Sequence, residues 1–197
     1  MTAVAEKQAN IDFVLVSLAK HEQKNPEHIA RHPFGKVPVI TDGNVHIYES
    51  RAICRYVNDR FKTGNPLIPN TLEGKALFDQ WASLEQGTFN PKIAAIIFER
   101  AWKPLLFKQQ GNDQVAREAY DAIQPAFEVL EKQLASHGKQ YLLGDQYTLV
   151  DIFFTPYFNW LMQTPEKSLI ENRPHVAKYW KALSERPSWK QVTAKAG

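Results

Sequence analysis

Apolar residues keep two different rhythms along this chain. Up to residue 61 they come in short runs and alternations; beyond residue 72 they recur at spacings of three and four. Residues 2–9 read as a short helix. "DFVLVSL", residues 12–18, reads as a strand. "NPEHIARH" follows as a short helix with Asn25 as N-cap and Pro26 at the first helical position. Residues 37–41 and 44–50 then form a β-hairpin through Asp42-Gly43-Asn44, the second arm alternating Val45, Ile47 and Glu49 against His46 and Tyr48. Pro38 stands inside the first arm, where its missing N–H removes a rung of any ladder. "SRAICRYVNDRF" is a helix with Ile53, Tyr56, Val57 and Phe61 on one face and Ser50 as N-cap.

Residues 62–72 carry Gly64, Pro66 and Pro69, a linker composition. All that follows reads helical. Leu77, Trp81 and Leu84 share a face; Pro91 kinks or divides the long helix, and Pro104 falls near its end. After Gly111-Asn112-Asp113, Val115, Ala119, Ile123, Ala126, Leu130 and Leu134 form a stripe that Gly138 stops and Pro125 bends. The pattern divides the chain into a mixed α/β part, 1–61, a linker, 62–72, and an all-helical part, 73–197. In "YTLVDI", Thr148 and Asp151 stand at capping-box spacing, with Tyr147 and Ile152 at the staple positions. That places Asp151 among structural carboxylates rather than catalytic ones, since capping accounts for both residues.

Composition changes this picture mainly by exclusion. The 197 residues are 44% hydrophobic and 23% charged, as in ordinary globular proteins, with a net charge of +3. Lysines and arginines are scattered among acids, so no nucleic-acid partner is expected. Cys54 is the one cysteine, which excludes an internal disulfide and fits a reducing compartment. No apolar run is long enough to span a bilayer, so no membrane partner is expected. The start of the chain lacks a signal-peptide pattern, and the expected location is the cytoplasm. The six histidines form no ligand pattern, so no metal is expected.

Five segments in this order, "KNPEHIARHPFGKVPVITDG", "YESRAICRYV", "FERAWKPLL", "YLLGDQYTLVDI" and "PHVAKYWKALSERPSW", resemble cytosolic glutathione transferases, with the likeness greatest to the phi class and its fungal relatives. The resemblance implies an α+β thioredoxin-like N-terminal domain and an all-α C-terminal bundle. It implies that Pro38 is a cis proline, turning the backbone of Val37 outward to pair with an extended peptide as an added strand would. Ser50, opening a helix, matches the position that takes the γ-glutamyl carboxylate, and Glu49 the one facing the γ-glutamyl ammonium. Gln23, Lys24 and Lys36 match the glycine-carboxylate end. Gln23 stands where phi enzymes usually have histidine and Lys36 where they often have glutamine, and both still donate hydrogen bonds. Phe98, Trp102 and Leu106, four apart on one helix face, match positions lining the pocket for an apolar second substrate.

The resemblance also implies what this sequence does not match. Family members begin with a strand and a turn whose serine or cysteine stabilises the glutathione thiolate; here "MTAVAEKQANIDFVLV" aligns with the later part of the first helix and the second strand. No catalytic residue is therefore assigned. Residues 1–20 are expected to rearrange, since an empty central strand position would leave backbone groups unsatisfied at roughly 1–3 kcal/mol each; a truncated form of an ordinary transferase is the other expectation. The function implied is detoxifying transfer of glutathione, as cosubstrate, to small apolar electrophiles in a two-fold homodimer, with turnover weakened or lost. The alternative is a non-catalytic ligand-binding or protein-interaction module.

Overall fold

Asp42 pairs with Val45 across a two-residue turn, and the ladder runs from there through Val39 opposite Tyr48. In the computed structural model, which describes residues 1–194, this hairpin is the one sheet among the described residues: β1, Val39–Asp42, and β2, Val45–Tyr48. Gly43 supplies the turn's left-handed backbone at φ 57°. The described chain folds as two compact units, the first Met1–Pro66 and the second from Leu67 onward.

In the first unit, α1 (Thr2–Glu6) packs against α3 (Ser50–Arg60). Lys7, at the end of α1, is buried; its ammonium donates to the Asn65 carbonyl at 3.2 Å, and the Thr63 hydroxyl donates to the Lys7 carbonyl. A short 3-10 turn, Glu22–Lys24, precedes α2 (Pro26–Arg31), which starts with Asn25 and Pro26 as expected. At the hairpin turn, the Asp42 carboxylate accepts from the Tyr56 hydroxyl at 2.7 Å and from Arg60 Nε at 2.8 Å, tying the turn to α3.

The expected strand at residues 12–18 does not form. Residues 10–16 make no hydrogen bond to another described residue, and Phe13, Val14 and Leu15 are 69%, 74% and 80% exposed. β-propensity describes how a side chain fits a pleated surface, and no ladder lies beside this run to supply one. Two further expectations shift. The first arm begins at Val39 rather than Val37, and Ser50 is the first residue of α3, with Glu49 in the N-cap position.

In the second unit, α4 (Leu72–Leu84) is capped by Thr71, whose side chain accepts from the Gly74 N–H at 3.0 Å. A π-helical turn, Glu85–Phe89, leads into α5 (Asn90–Ile97), and a second, Phe98–Phe107, follows. The wider turns accompany the expected interruptions: Pro91 opens α5, Pro104 lies inside the second, and neither has an N–H to donate to an α-helical rung. α6 (Asp113–His137) is capped by Asn112, which accepts from the Gln114 and Val115 N–H groups, and Gly138 ends it at φ 62°. Its buried stripe is Ala116, Ile123, Phe127, Leu130 and Leu134, so Val115 and Ala126 of the expected set give way to their next neighbours, Ala116 and Phe127, and Ala119 is only half-buried.

α7 (Leu149–Leu161) forms the centre of the helical unit, burying Leu149 to Thr155 without a break, as well as Phe158 and Leu161. The Phe89 ring lies 5.0 Å from that of Phe154 and 5.7 Å from that of Phe127, which in turn stacks on Phe158 at 5.8 Å. Such pairs add about 0.5–1.5 kcal/mol each beyond the burial of their surface. The Thr148–Asp151 capping box is present, with Tyr147 and Ile152 both buried. α8 (Ser168–Glu171), α9 (Pro174–Ser184) and α10 (Pro187–Ala194) complete the unit. Glu131 of α6 accepts from the His175 and Val176 N–H groups at the start of α9.

Candidate functional site

The open end of the hairpin gathers the residues picked out in the sequence. Gly35 is buried at φ 55°, and a Cβ there would lie 2.9 Å from the Gln23 carbonyl oxygen and 3.0 Å from Lys24 Cδ. Only glycine lets the 33–36 loop sit this close to the Glu22–Lys24 turn. Lys24 Nζ donates to the Phe34 carbonyl at 3.3 Å, and Lys36 is exposed on the same loop. The Gln23 side-chain oxygen is buried without a partner. Thus Gln23, Lys24 and Lys36 come together around one loop.

Next along the chain, the Val37–Pro38 peptide is cis, as expected from the resemblance. Val37 is exposed, and its N–H and C=O make no hydrogen bond to any described residue. Val39 pairs with Tyr48, so Val37 and the Glu49-Ser50 pair sit just beyond the same end of the ladder. Glu49 has φ 73° and ψ 113°, outside the ordinary regions for a non-glycine residue, a conformation that costs about 1–3 kcal/mol and gathers at functional sites. No side chain caps the first turn of α3. The N–H groups of a helix's first turn, with the positive end of the helix dipole, favour an anion. The surface therefore presents a main-chain donor and acceptor at Val37, an anion-binding helix start at Ser50, a carboxylate at Glu49, and ammonium groups at Lys24 and Lys36. An extended zwitterionic peptide meets each of these with its opposite.

In the helical unit, Phe98, Trp102 and Leu106 lie on the second π-helical turn. Trp102 is half-buried, its ring 6.2 Å from that of Trp160, while Phe98 and Leu106 are exposed along with Leu105 and Phe107. Phe98 packs on Phe107 at 6.0 Å and carries Lys103 Nζ 5.4 Å from its ring centre. Two remaining reactive side chains have structural surroundings. Burial pushes the Cys54 thiol up, away from the thiolate, and the same burial pushes up the carboxyl of Asp151. Asp151 accepts from the Leu142 and Thr148 N–H groups, the Thr148 hydroxyl and the Tyr179 hydroxyl. Among the described residues no group of three or more His, Cys, Asp or Glu side chains could hold a metal ion, and no helix is long and apolar enough to cross a membrane.

The glutathione S-transferase N-terminal domain family matches residues 1–59, and the C-terminal domain family matches residues 92–187. Glutathione S-transferase F10 of Arabidopsis thaliana is 34% identical over 197 residues, which span 99% of this chain and 90% of that protein. The chain belongs to the glutathione S-transferase family. The likeness is to plant phi-class transferases. The crystal structure of glutathione transferase F7 from Populus trichocarpa matches the chain with a TM-score of 0.93 at 32% identity, covering 100% of this chain and 92% of that one. Glutathione S-transferase I from maize, in complex with an atrazine glutathione conjugate, matches with a TM-score of 0.87 at 32% identity, over 98% and 89% of the two chains. The fold is accordingly that of the family: a small thioredoxin-like N-terminal domain, here with a two-stranded sheet, followed by an all-helical domain.

Sequence reasoning weighed the histidines only as metal ligands and missed their place in the first unit. His28 and His32 are 3% and 2% exposed. Their rings stack 6.2 Å apart, and His32 stacks on Tyr48 at 4.7 Å. Their spacing of four, from inside a helix that opens with Asn-Pro to the residue that ends it, was the available signal, since residues four apart about a helical turn meet on one side.

Proposed function

We propose that the protein binds glutathione on its thioredoxin-like domain and, as a transferase, joins the glutathione thiolate to small apolar electrophiles. The observation that carries this reading is the free N–H and C=O of Val37 beside the uncapped start of α3. In it, Val37 pairs with the tripeptide main chain while Pro38 orients it. The Ser50 hydroxyl and N–H hold the γ-glutamyl carboxylate, and Glu49 holds the γ-glutamyl ammonium. Gln23, Lys24 and Lys36 receive the glycine carboxylate. The balance of charge supports these roles: glutathione carries two carboxylates and one ammonium, and the site offers two lysines, a helix start and one free carboxylate. Phe98, Trp102 and Leu106 are the apolar surface assigned to the electrophile, and the protein acts as a cytoplasmic homodimer without metal.

The reaction is nucleophilic. Glutathione loses its thiol proton, its sulfur forms a bond to an electrophilic carbon, and the leaving group departs with the electrons of the broken bond. Stabilising the thiolate needs a donor near the sulfur. Among the described residues of the first unit, Ser17 accepts from the Lys20 N–H within its own turn, Thr2 is buried, and Cys54 has its thiol pushed up by burial. These surroundings favour weak or lost turnover with binding retained, and so give weight to a non-catalytic glutathione-binding protein as the second reading. A transferase assay with a chlorinated aromatic substrate, run beside isothermal titration of glutathione, separates the two. Turnover with binding supports the transferase, binding alone supports the ligand-binding protein, and absence of both refutes the glutathione site.

A further inference from the structure

We propose that His28 is a positioning residue for glutathione: by holding the Lys36 carbonyl it aims the Val37 N–H outward. The inference rests on the reading of Val37 as the partner of the glutathione main chain. His28 Nε2 lies 2.7 Å from the Lys36 carbonyl oxygen. A carbonyl only accepts, so Nε2 carries the proton and donates. The Lys36 carbonyl and the Val37 N–H are the two ends of one peptide unit. That unit is planar and trans, the cis bond being the next one, so its C=O and N–H point in opposite directions. Fixing the carbonyl toward α2 therefore fixes the direction of the donor on the other side.

The hold is firm for two reasons. The His28 imidazole is 3% exposed, so water competes little for the carbonyl. Its ring is also backed by a column: His32 stacks on it at 6.2 Å and on Tyr48 at 4.7 Å, and Tyr48 is the last residue of β2, next to Glu49. One stack of rings thus sets the Lys36–Val37 peptide against the start of α3. The Val37 carbonyl belongs to the following peptide and is not held in this way.

The test compares His28→Phe, which keeps a stacking ring and removes the donor, with His28→Gln, which keeps a donor. Glutathione affinity is read by isothermal titration and the Val37 amide by 15N-resolved NMR. We expect His28→Phe to weaken binding about tenfold, the size of one lost hydrogen bond, and His28→Gln to restore most of it. In the wild type the Val37 amide resonance shifts on adding glutathione. A purely structural role would lower the melting temperature of both variants without separating their affinities, and that result overturns the proposal. So does a Val37 amide that does not move in the wild type when glutathione binds, a measurement that stands even if His28→Phe does not fold. A wild type that binds no glutathione overturns the site itself; a wild type that binds while His28→Phe binds equally well overturns only the role of His28.

Discussion

Replacing Asp151 should cost this protein a large part of its stability while leaving the glutathione site untouched. The carboxylate is fully buried and accepts four hydrogen bonds: Leu142 N–H at 3.1 Å and Tyr179 hydroxyl at 2.8 Å on one oxygen, Thr148 N–H at 2.7 Å and Thr148 hydroxyl at 2.9 Å on the other. In Asp151→Ala the two backbone N–H groups are stranded without water, at roughly 1–3 kcal/mol each, while the two hydroxyls can turn elsewhere. Release of a desolvated charge offsets part of this, leaving about 2–4 kcal/mol, or a melting temperature lower by about 10 °C for a chain of this size. Asp151→Asn keeps one acceptor oxygen and faces one stranded N–H with a donor, so its cost is about 1–3 kcal/mol. The pH dependence adds a second constraint. Burial raises the carboxyl in the folded state, so the stability it confers is full below the unfolded value near about pH 4 and falls as pH rises through the folded one. The gap between wild type and Asp151→Asn should therefore be widest in acid. Urea unfolding followed by tryptophan fluorescence measures both quantities. A loss below about 1 kcal/mol in Asp151→Ala would refute the accounting of stranded donors. A gap that widens toward neutral pH would mean that the four hydrogen bonds, not burial, set the carboxyl.

Three further outcomes follow from the site and the hairpin. Ser50→Ala should weaken glutathione binding about tenfold in a calorimetric titration without shifting the melting temperature, since the hydroxyl caps nothing in the free protein; unchanged affinity removes Ser50 from the site. Gly35→Ala places a Cβ 2.9 Å from the Gln23 carbonyl at a left-handed φ, so both thermal stability and glutathione affinity should fall, by about 1–3 kcal/mol in the former; a fully stable variant would mean that the loop has room to shift. The Tyr56 hydroxyl, followed by Arg60, holds the Asp42 carboxyl below its usual range, so the tether it makes is present above the unfolded value and lost as pH falls through the folded one. Amide exchange in Val39–Tyr48 should therefore quicken in acid, and Asp42→Asn should remove that dependence.

What could be read in the sequence was local. The capping box of α7 needs only four consecutive positions, and the hairpin needs only Asp42-Gly43 between β-branched arms, so both follow from chemistry within a few residues. The stripe of α6 was legible to within one residue because an α-helix repeats on its own bonds. Residues 12–18 were misread because a strand depends on a neighbour distant in sequence, and nothing in "DFVLVSL" says whether that neighbour is there. The start of α3 was misplaced by one residue because Glu49 takes a backbone conformation that local preference argues against. Of the site, the loop, the proline and Glu49-Ser50 were legible through family likeness. His28 was not, because its role lies in which carbonyl it meets, and no spacing rule encodes that.

The run Phe13–Leu15 has a consequence for how the molecule behaves in company. Its neighbours from residue 10 to 16 hold unspent backbone donors and acceptors, and its side chains are dry-loving on both faces. Proline and lysine, the usual gatekeepers of such an edge, are absent from Asn10–Leu18. A ribbon of this kind is adhesive to any other extended chain, its own kind included. Crowding should thus turn this small stretch into the place where fibrous deposits begin, and a single lysine at Val14 should raise the concentration the protein tolerates before it clouds.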